Sequence, residues 1–551
     1  MQDAGHTLGP VASTSTQTTD PQPGSEVVPT HPPIEPASSS TQGQVLLTAD
    51  PTICADPGAR ETAWFDHEFL DAGTLVERDL GGGGLAVADF DGDGWLDLFT
   101  ASARPALWRS IGGTTFAEDP TSVAGIDLVG AVGASAADAD DDGDVDVLVT
   151  RWNAAPILLI NDGTGQWSDG TAHAGLGSAA LGAGGSSWAD FDGDGDLDLI
   201  IAGYGAHPPD PYDPLMPPGA PSRLYRANGD GSFEDASTLL PAATLDAYAF
   251  QHAWFDLDLD GLPELFTAAD YGWIRPSTLL RNLGGAFEDA PEFGFLPEYA
   301  AMGVGVGDLG GDGLPDFAIT SVKDLALMET LSLPGNSVVY VDRADARGIR
   351  LNAGSGSPIG QDFGWGVELV VVDANGLTDL MAVFGYWSTW PTLTNEKELD
   401  GLWMLGPGGS FGEDIADDVN VGVADPGAGR GLIAADLNRD GYPDFVRGNI
   451  DAPYLVSRSR CGDAAWLRVS LDQGLPNAAA VGARVQVIAG DLTLTAWIDA
   501  GGRSLFSGGP PEALFGLGDV DLIDELKVVW PDGSESKFAD VATRQSVIAR
   551  R

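Results

Sequence analysis

The chain has 551 residues, 43% of them apolar, with 82 acidic against 27 basic side chains and a formal net charge of −55. Such a surface concentrates cations and repels nucleic acid and anionic lipid, so neither is an expected partner. With two cysteines and no CxxC pair, zinc and thiol-redox motifs are excluded, and no apolar run reaches the roughly 18 residues of a membrane-spanning helix.

In chain order, residues 1–50 are rich in Ser, Thr, Pro and Gln and predict a disordered tether. Met1 is followed by polar residues rather than a basic and then apolar leader, which reads as a mature chain with a start Met added and its surface anchor elsewhere. Beyond the tether, 75 Gly and 36 Pro predict many turns and short strands.

One nine-residue pattern then recurs seven times: DFDGDGWLD at 89–97, DADDDGDVD at 138–146, DFDGDGDLD at 190–198, DLDLDGLPE at 256–264, DLGGDGLPD at 308–316, VVDANGLTD at 371–379 and DLNRDGYPD at 436–444. Successive starts lie 49, 52, 66, 52, 63 and 65 residues apart. That spacing leaves room for about four ordinary strands per repeat, the size of a propeller blade.

The pattern has a chemical reason. Acids at positions 1, 3 and 5 converge three hard oxygens, Gly at 6 permits a sharp turn, the carbonyl of 7 coordinates, and the acid at 9 closes the shell. Calcium takes six to eight oxygens at about 2.3–2.6 Å, whereas magnesium demands tighter octahedral geometry. The ligand sets are Asp89, Asp91, Asp93, Trp95 and Asp97; Asp138, Asp140, Asp142, Asp144 and Asp146; and Asp190, Asp192, Asp194, Asp196 and Asp198. The fourth is Asp256, Asp258, Asp260, Leu262 and Glu264, and the seventh is Asp436, Asn438, Asp440, Tyr442 and Asp444. These five are expected to be competent. The fifth (Asp308, Asp312, Leu314, Asp316) has Gly310 where a ligand belongs, and the sixth (Asp373, Asn375, Asp379) begins with Val371, so both are expected to be weak or empty. An EF-hand would need Glu at position 12 and flanking helices, and β-type runs such as LDLFTA follow these loops instead.

A small-residue strand precedes the loops (GLAVAD, GSSWAD, GVGVGD, GLIAAD), and apolar second and third strands follow. An aromatic then opens a fourth (GGTTFAED, GTGQWSD, GDGSFED, GGAFED, GGSFGED). From about residue 62 to 460 this resembles the FG-GAP/VCBS repeats of integrin α-subunits and bacterial surface proteins. The resemblance implies an all-β, seven-bladed propeller with calcium on the loops joining first and second strands. The last repeat lacks a fourth strand, and a spare one, AWFDHEFLDAG at 63–73, is expected to complete blade seven. Cys54 and Cys461 flank that join, bounding a propeller over 54–461; they form either a disulfide closing a loop of about 400 residues or two buried thiols.

Residues 464–551 change texture to alternating strands without Asp loops. Asn477, Val481-Gly482-Ala483-Arg484, Phe515-Gly516-Leu517-Gly518 and Trp530-Pro531-Asp532-Gly533 resemble the ASPIC/UnbV domain. The two parts together are similar to the cartilage acidic protein family, in a bacterial relative, implying an extracellular or cell-surface calcium-binding protein. Read as local chemistry, the same strings are turn and packing signals of a small β-sandwich-like unit.

The propeller face away from the metal loops reads as aromatic: Trp152 beside Asn153, Tyr204, Tyr271, Trp273, Tyr386, Trp387 and Trp390, with Tyr248, His252, Tyr299 and Trp365 on approaches to the inner strands. Loops at 205–221, 323–336 and 387–400 are enlarged there. Exposed rings suit a glycan or protein ligand, and rings packed between blades are the alternative. Two functions stay open. One is a noncatalytic adhesion module; the other is a polysaccharide lyase, for which His252, Arg104, Arg151 and Lys323 are the available base and charge neutralisers.

Overall fold

Strands of small residues pack where a ring of blades is most crowded, and the inner strands obey this: Ala131–Ala137 (AVGASAA) is buried at every position. In the computed structural model the described residues are 45–48, 54, 57–61, 63–73, 82–152, 154–176, 182–205, 220–245, 247–272, 275–295, 299–322, 324–333, 337–349, 363–385, 399–416, 418, 420–423, 425 and 427–551. The inner strands are Gly84–Ala88, Ala131–Ala137, Ala183–Ala189, Tyr248–Phe255, Val304–Gly307, Gly364–Val370 and Gly429–Ala435. Each heads an antiparallel sheet of four strands, and each second strand begins on the closing acid of its loop: Asp97, Asp146, Asp198, Glu264, Asp316, Asp379 and Asp444.

The chain forms seven blades, and their inner strands pack side by side around a ring that closes between the seventh and the first. Blade seven takes its fourth strand from the N-terminal side, Phe65–Leu70, in register with Tyr454–Ser459 from Phe65↔Ser459 to Leu70↔Tyr454. Cys54 and Cys461 are bonded beside this join, with Cα atoms 5.6 Å apart. Apolar side chains of adjacent blades share one core across the closure, among them Leu70, Leu85, Leu98, Ile433, Val446 and Tyr454.

The C-terminal unit is two four-stranded sheets enclosing Leu467, Val469, Val485, Val487, Phe515, Leu526 and Trp530. One outer strand corrects the tether boundary at residue 50. Val45–Thr48 pairs with the last strand, Val45↔Arg550 through Thr48↔Val547, because its apolar run packs Leu46 against that core. The rest of the expected tether lies outside the described residues.

The two units interlock. Ala500–Gly501 adds a fifth strand to blade three, pairing with Trp188 and Ser187. The chain then runs along the propeller axis. Ser504 N and O exchange hydrogen bonds with Val304, Phe506 O accepts from Ala134 N, and Gly508 bonds Leu85 and Val87. Ser504 Oγ accepts from Leu432 N, and Gln251 Oε1 accepts from Phe506 N. A side chain on Gly84 would collide with Phe506 O, which explains glycine there. Leu505 and Phe506 are buried in one cluster with Phe250, Trp365 and Leu432, so the channel is filled.

Replacing Phe506 with Ala is expected to lower stability by roughly 3–5 kcal/mol, read as a fall in the urea midpoint. A midpoint equal to that of the parent would contradict the packing of this plug.

Candidate metal centre

The seven loops share one backbone whatever their acid count. Position 6 is a left-handed glycine in each, from Gly313 at φ 81° to Gly195 at φ 100°. Position 4 is left-handed too, and only three of the seven are glycine there. Asp141 (59°), Leu259 (62°), Ala374 (58°) and Arg439 (60°) accept a conformation that costs a side chain about 1 kcal/mol or more. In sequence, only position 6 is glycine in all seven copies, so it alone marks the turn.

Carboxylates impose that backbone. The position 1 acid accepts from the amides of positions 5 and 6, as Asp190 Oδ1 does from Asp194 N at 3.1 Å and Oδ2 from Gly195 N at 2.9 Å. Asp138, Asp256, Asp308 and Asp436 repeat the pair. The position 5 side chain accepts from the amide of position 7 in every loop, Asn375 included. The closing acid braces two strands. Asp146 Oδ2 accepts from Ala139 N at 2.9 Å and Oδ1 from Asn161 N at 2.8 Å, and Asp198, Asp316, Asp379 and Asp444 do the same.

In four loops the acids converge on a point. Asp89, Asp91 and Asp93; Asp138, Asp140 and Asp146; Asp190, Asp192 and Asp194; and Asp256, Asp258 and Asp260 each present oxygens within 4.8 Å of one another. Two oxygens on opposite sides of one calcium stand about that far apart. Three clusters also have a buried oxygen with no hydrogen-bond partner, Asp89 Oδ1, Asp140 Oδ1 and Asp192 Oδ1, and behind the fourth Glu264 Oε1 is bare. A buried carboxylate oxygen left bare is costly, and a cation at the centre of the loop satisfies it. These residues fit a metal ion.

Electrostatics agree. Burial, reinforced by neighbouring acids, raises Asp138 to about 7, Asp146 to about 8, Asp198 to about 8, Asp256 to about 7 and Glu264 to about 9. Without a cation these groups keep their protons to a higher pH than an ordinary carboxyl.

The remaining loops differ. In the fifth, Thr330 Oγ1 donates to Asp312 Oδ2 at 3.0 Å, and Asp316 is raised to about 7 by burial. Beside the sixth, Arg60 donates to Val372 O at 2.9 Å and lies close enough to Asp373 for its charge to act on that carboxylate. In the seventh, Asn438 Nδ2 donates to Asp440 Oδ2 at 3.0 Å, which engages one oxygen of the ligand set. Asp436 and Asp444 are fully enclosed there, beneath the C-terminal unit.

That unit sits on the loop face. Arg484 Nη1 donates to Gly313 O at 3.1 Å in loop five, Gly518 N donates to Ala374 O at 2.7 Å in loop six, and a side chain on Gly441 in loop seven would strike Trp466. Its motif residues are structural. Asn477 Oδ1 accepts from Val481 N and its Nδ2 donates to Val481 O, while Trp530 Nε1 donates to Ser536 Oγ at 2.8 Å. The Gly-rich plug, GGRSLFSGG, was missed by the sequence reading. Its two large apolar residues amid glycines that break strand alternation are the signal that marks it.

The expected aromatic face is corrected. Trp152, Tyr204, Tyr248, Tyr271 and Trp365 are buried, because they stack into one cluster that continues through Phe250 to Phe506 of the plug. Trp365 Nε1 donates to Gly385 O at 2.6 Å beneath the Arg430 guanidinium. Tyr299 is half-buried, its hydroxyl on Asp342. Trp273, Tyr386, Trp387, Trp390, Asn153 and Lys323 lie outside the described residues, as do most of loops 205–221 and 387–400. The expected loop at 323–336 is corrected: Leu325–Leu333 is the long third strand of blade five, paired with Ser337–Asp342. The lyase candidates are occupied elsewhere. His252 has no exposed surface, its ring nitrogens meet Thr267 Oγ1 and Ser222 Oγ, and burial depresses it to about 3. Arg104 pairs with Glu118, and Arg151 donates to Ala155 O and Asp127 O.

Comparison with family models gives the FG-GAP-like repeat at residues 89–149, 138–201 and 256–319, and ASPIC and UnbV at residues 474–550. The chain joins FG-GAP-like repeats to an ASPIC/UnbV domain. FG-GAP repeats are typical of extracellular proteins, and no described helix is long and apolar enough to cross a membrane. No curated protein matches the chain. Among solved structures, the BP39L lectin from Burkholderia pseudomallei is similar at 13% identity, over 70% of this chain and 97% of that one, with a TM-score of 0.43. BBS1N in complex with ARL6DN is similar at 10% identity over 72% and 96%, with a TM-score of 0.38. The Photorhabdus luminescens Tc holotoxin pore is similar at 17% identity over 76% and 15%, with a TM-score of 0.31.

The raised carboxyls give the FG-GAP ring a signed pH dependence. Their native values lie above the unfolded ones, so their stabilisation is full below about pH 4 and is lost as pH rises through about 7 to 9. Metal-free protein is therefore expected to melt higher near pH 5 than near pH 8 by scanning calorimetry. Melting that rises over that interval would contradict the assignment.

Proposed function

We propose that the protein is an extracellular or cell-surface, calcium-loaded binding module without a catalytic centre, whose ligand is a glycan or an extracellular protein. One observation supports it above others: four carboxylate clusters on one loop design, three of which contain a buried oxygen without a hydrogen-bond partner while the fourth is backed by the bare Glu264 Oε1. All-oxygen ligand sets with a ring of acids suit calcium better than magnesium or a softer metal. Loops one to four are the proposed sites, and the seventh, with Asn438 for an acid, is a weaker fifth. Calcium there fastens each first strand to its second strand, so its role is to hold the scaffold rather than to react.

The lyase alternative needed His252 as its base, and that ring is neutral and enclosed. Ligand contact is proposed for the outer surface of the ring, since Trp152, Tyr204, Tyr248, Tyr271 and Trp365 are buried. Retention on a glycan or extracellular-protein array without turnover supports the module. Release of unsaturated ends from acidic polysaccharides would overturn it. Exhaustive chelation is expected to lower the melting temperature by roughly 10 °C, from the linkage of several filled sites; unchanged melting would refute structural calcium.

A further inference from the structure

The four clusters are alike in their loops and unlike in what faces them. In these four blades the penultimate residue of the third strand is Arg109 in Ala106–Ser110, Ile160 in Ile157–Asn161, Arg226 in Arg223–Ala227 and Arg281 in Thr278–Asn282. Three are arginines and each meets the position 3 acid. Arg226 Nε is 2.6 Å from Asp192 Oδ2, Arg281 Nε is 3.4 Å from Asp258 Oδ2, and Arg109 Nη1 is 3.4 Å from Asp91 Oδ2. Arg109 goes further, lying 2.9 Å from the closing acid Asp97. Blade two has Ile160 there, whose side chain packs against an apolar core instead.

The consequence is electrostatic. In loop three one oxygen of Asp192 faces the guanidinium while Oδ1 is left bare for a cation, so a single carboxylate serves two positive charges. In loop two Asp140 Oδ1 is equally bare, and among the described residues no arginine pairs with that carboxylate. A fixed unit charge within one or two contacts of a divalent ion weakens its binding by about tenfold even at the dielectric of water.

We propose that the penultimate third-strand residue sets the calcium affinity of each loop, Arg109, Arg226 and Arg281 weakening theirs and Ile160 leaving loop two the tightest, so that the sites fill in sequence as calcium rises. This rests on the calcium reading above. It makes the arginines internal counter-ions that steady the acidic loops when calcium is scarce.

The test is calorimetric titration of the full, chelator-stripped chain with calcium chloride, with circular dichroism to confirm folding. The parent is expected to show one tight step that Asp140→Asn abolishes. Ile160→Arg should weaken that step about tenfold, and Arg226→Met should bring a second site about tenfold closer to it. Four equivalent sites, a tight step indifferent to Asp140→Asn, or weaker binding in Arg226→Met would each overturn the inference while leaving calcium binding intact. No binding heat in the folded parent would overturn the calcium reading itself and this inference with it.

Discussion

Like-charged carboxylates held out of water at the join between first and second strands are the constraint around which the ring is built. The position 1 acid holds the loop backbone, the position 9 acid ties the loop to the third strand, and both are spent on backbone amides as well as on the loop centre. Their mutual repulsion is compatible with a folded ring only if protons, arginines or a divalent ion neutralise it. All three appear in the structure or are called for by it. Raised carboxyls keep their protons to higher pH, Arg109, Arg226 and Arg281 stand against position 3, and partnerless oxygens leave a place that a cation could fill.

The second organising feature is the interlock of the two units. The loop face is roofed by the C-terminal sandwich, whose Gly-rich segment enters the channel and hydrogen-bonds inner strands of several blades. The sandwich is in turn tied to the N-terminal side by Val45–Thr48, and the ring is closed by Phe65–Leu70 and the Cys54–Cys461 bond. Propeller and sandwich therefore do not behave as beads on a string. The sandwich docks on loops five, six and seven, with Gly313, Ala374 and Gly441 among the points of contact, while the four carboxylate clusters belong to loops one to four.

Much of this was legible in the residues. Seven copies of one acidic loop at blade spacing define the repeat, and the missing fourth strand after APYLVSRSR points to 63–73 as the closing strand, which it is. What was not legible depends on three-dimensional neighbours. An aromatic such as Tyr204 looks the same in sequence whether it faces a glycan or a plug contributed from residue 506, some 300 positions later. His252 likewise looks like a base until its enclosure between Thr267 and Ser222 is seen. The position 4 left-handed turn escaped because Leu259, Ala374 and Arg439 are not residues that announce it. The arginine partners escaped because they belong to the third strand, ten or more residues from the acids they meet.

The central claim is that the loops around one rim of the ring are calcium sites. Crystals grown with calcium, measured at a long X-ray wavelength, test it most directly. The account predicts anomalous peaks inside loops 89–97, 138–146, 190–198 and 256–264, each within coordinating distance of its position 1, 3 and 5 acids and its closing acid. A map with no peak in those four loops, at calcium concentrations that saturate binding in solution, would contradict it.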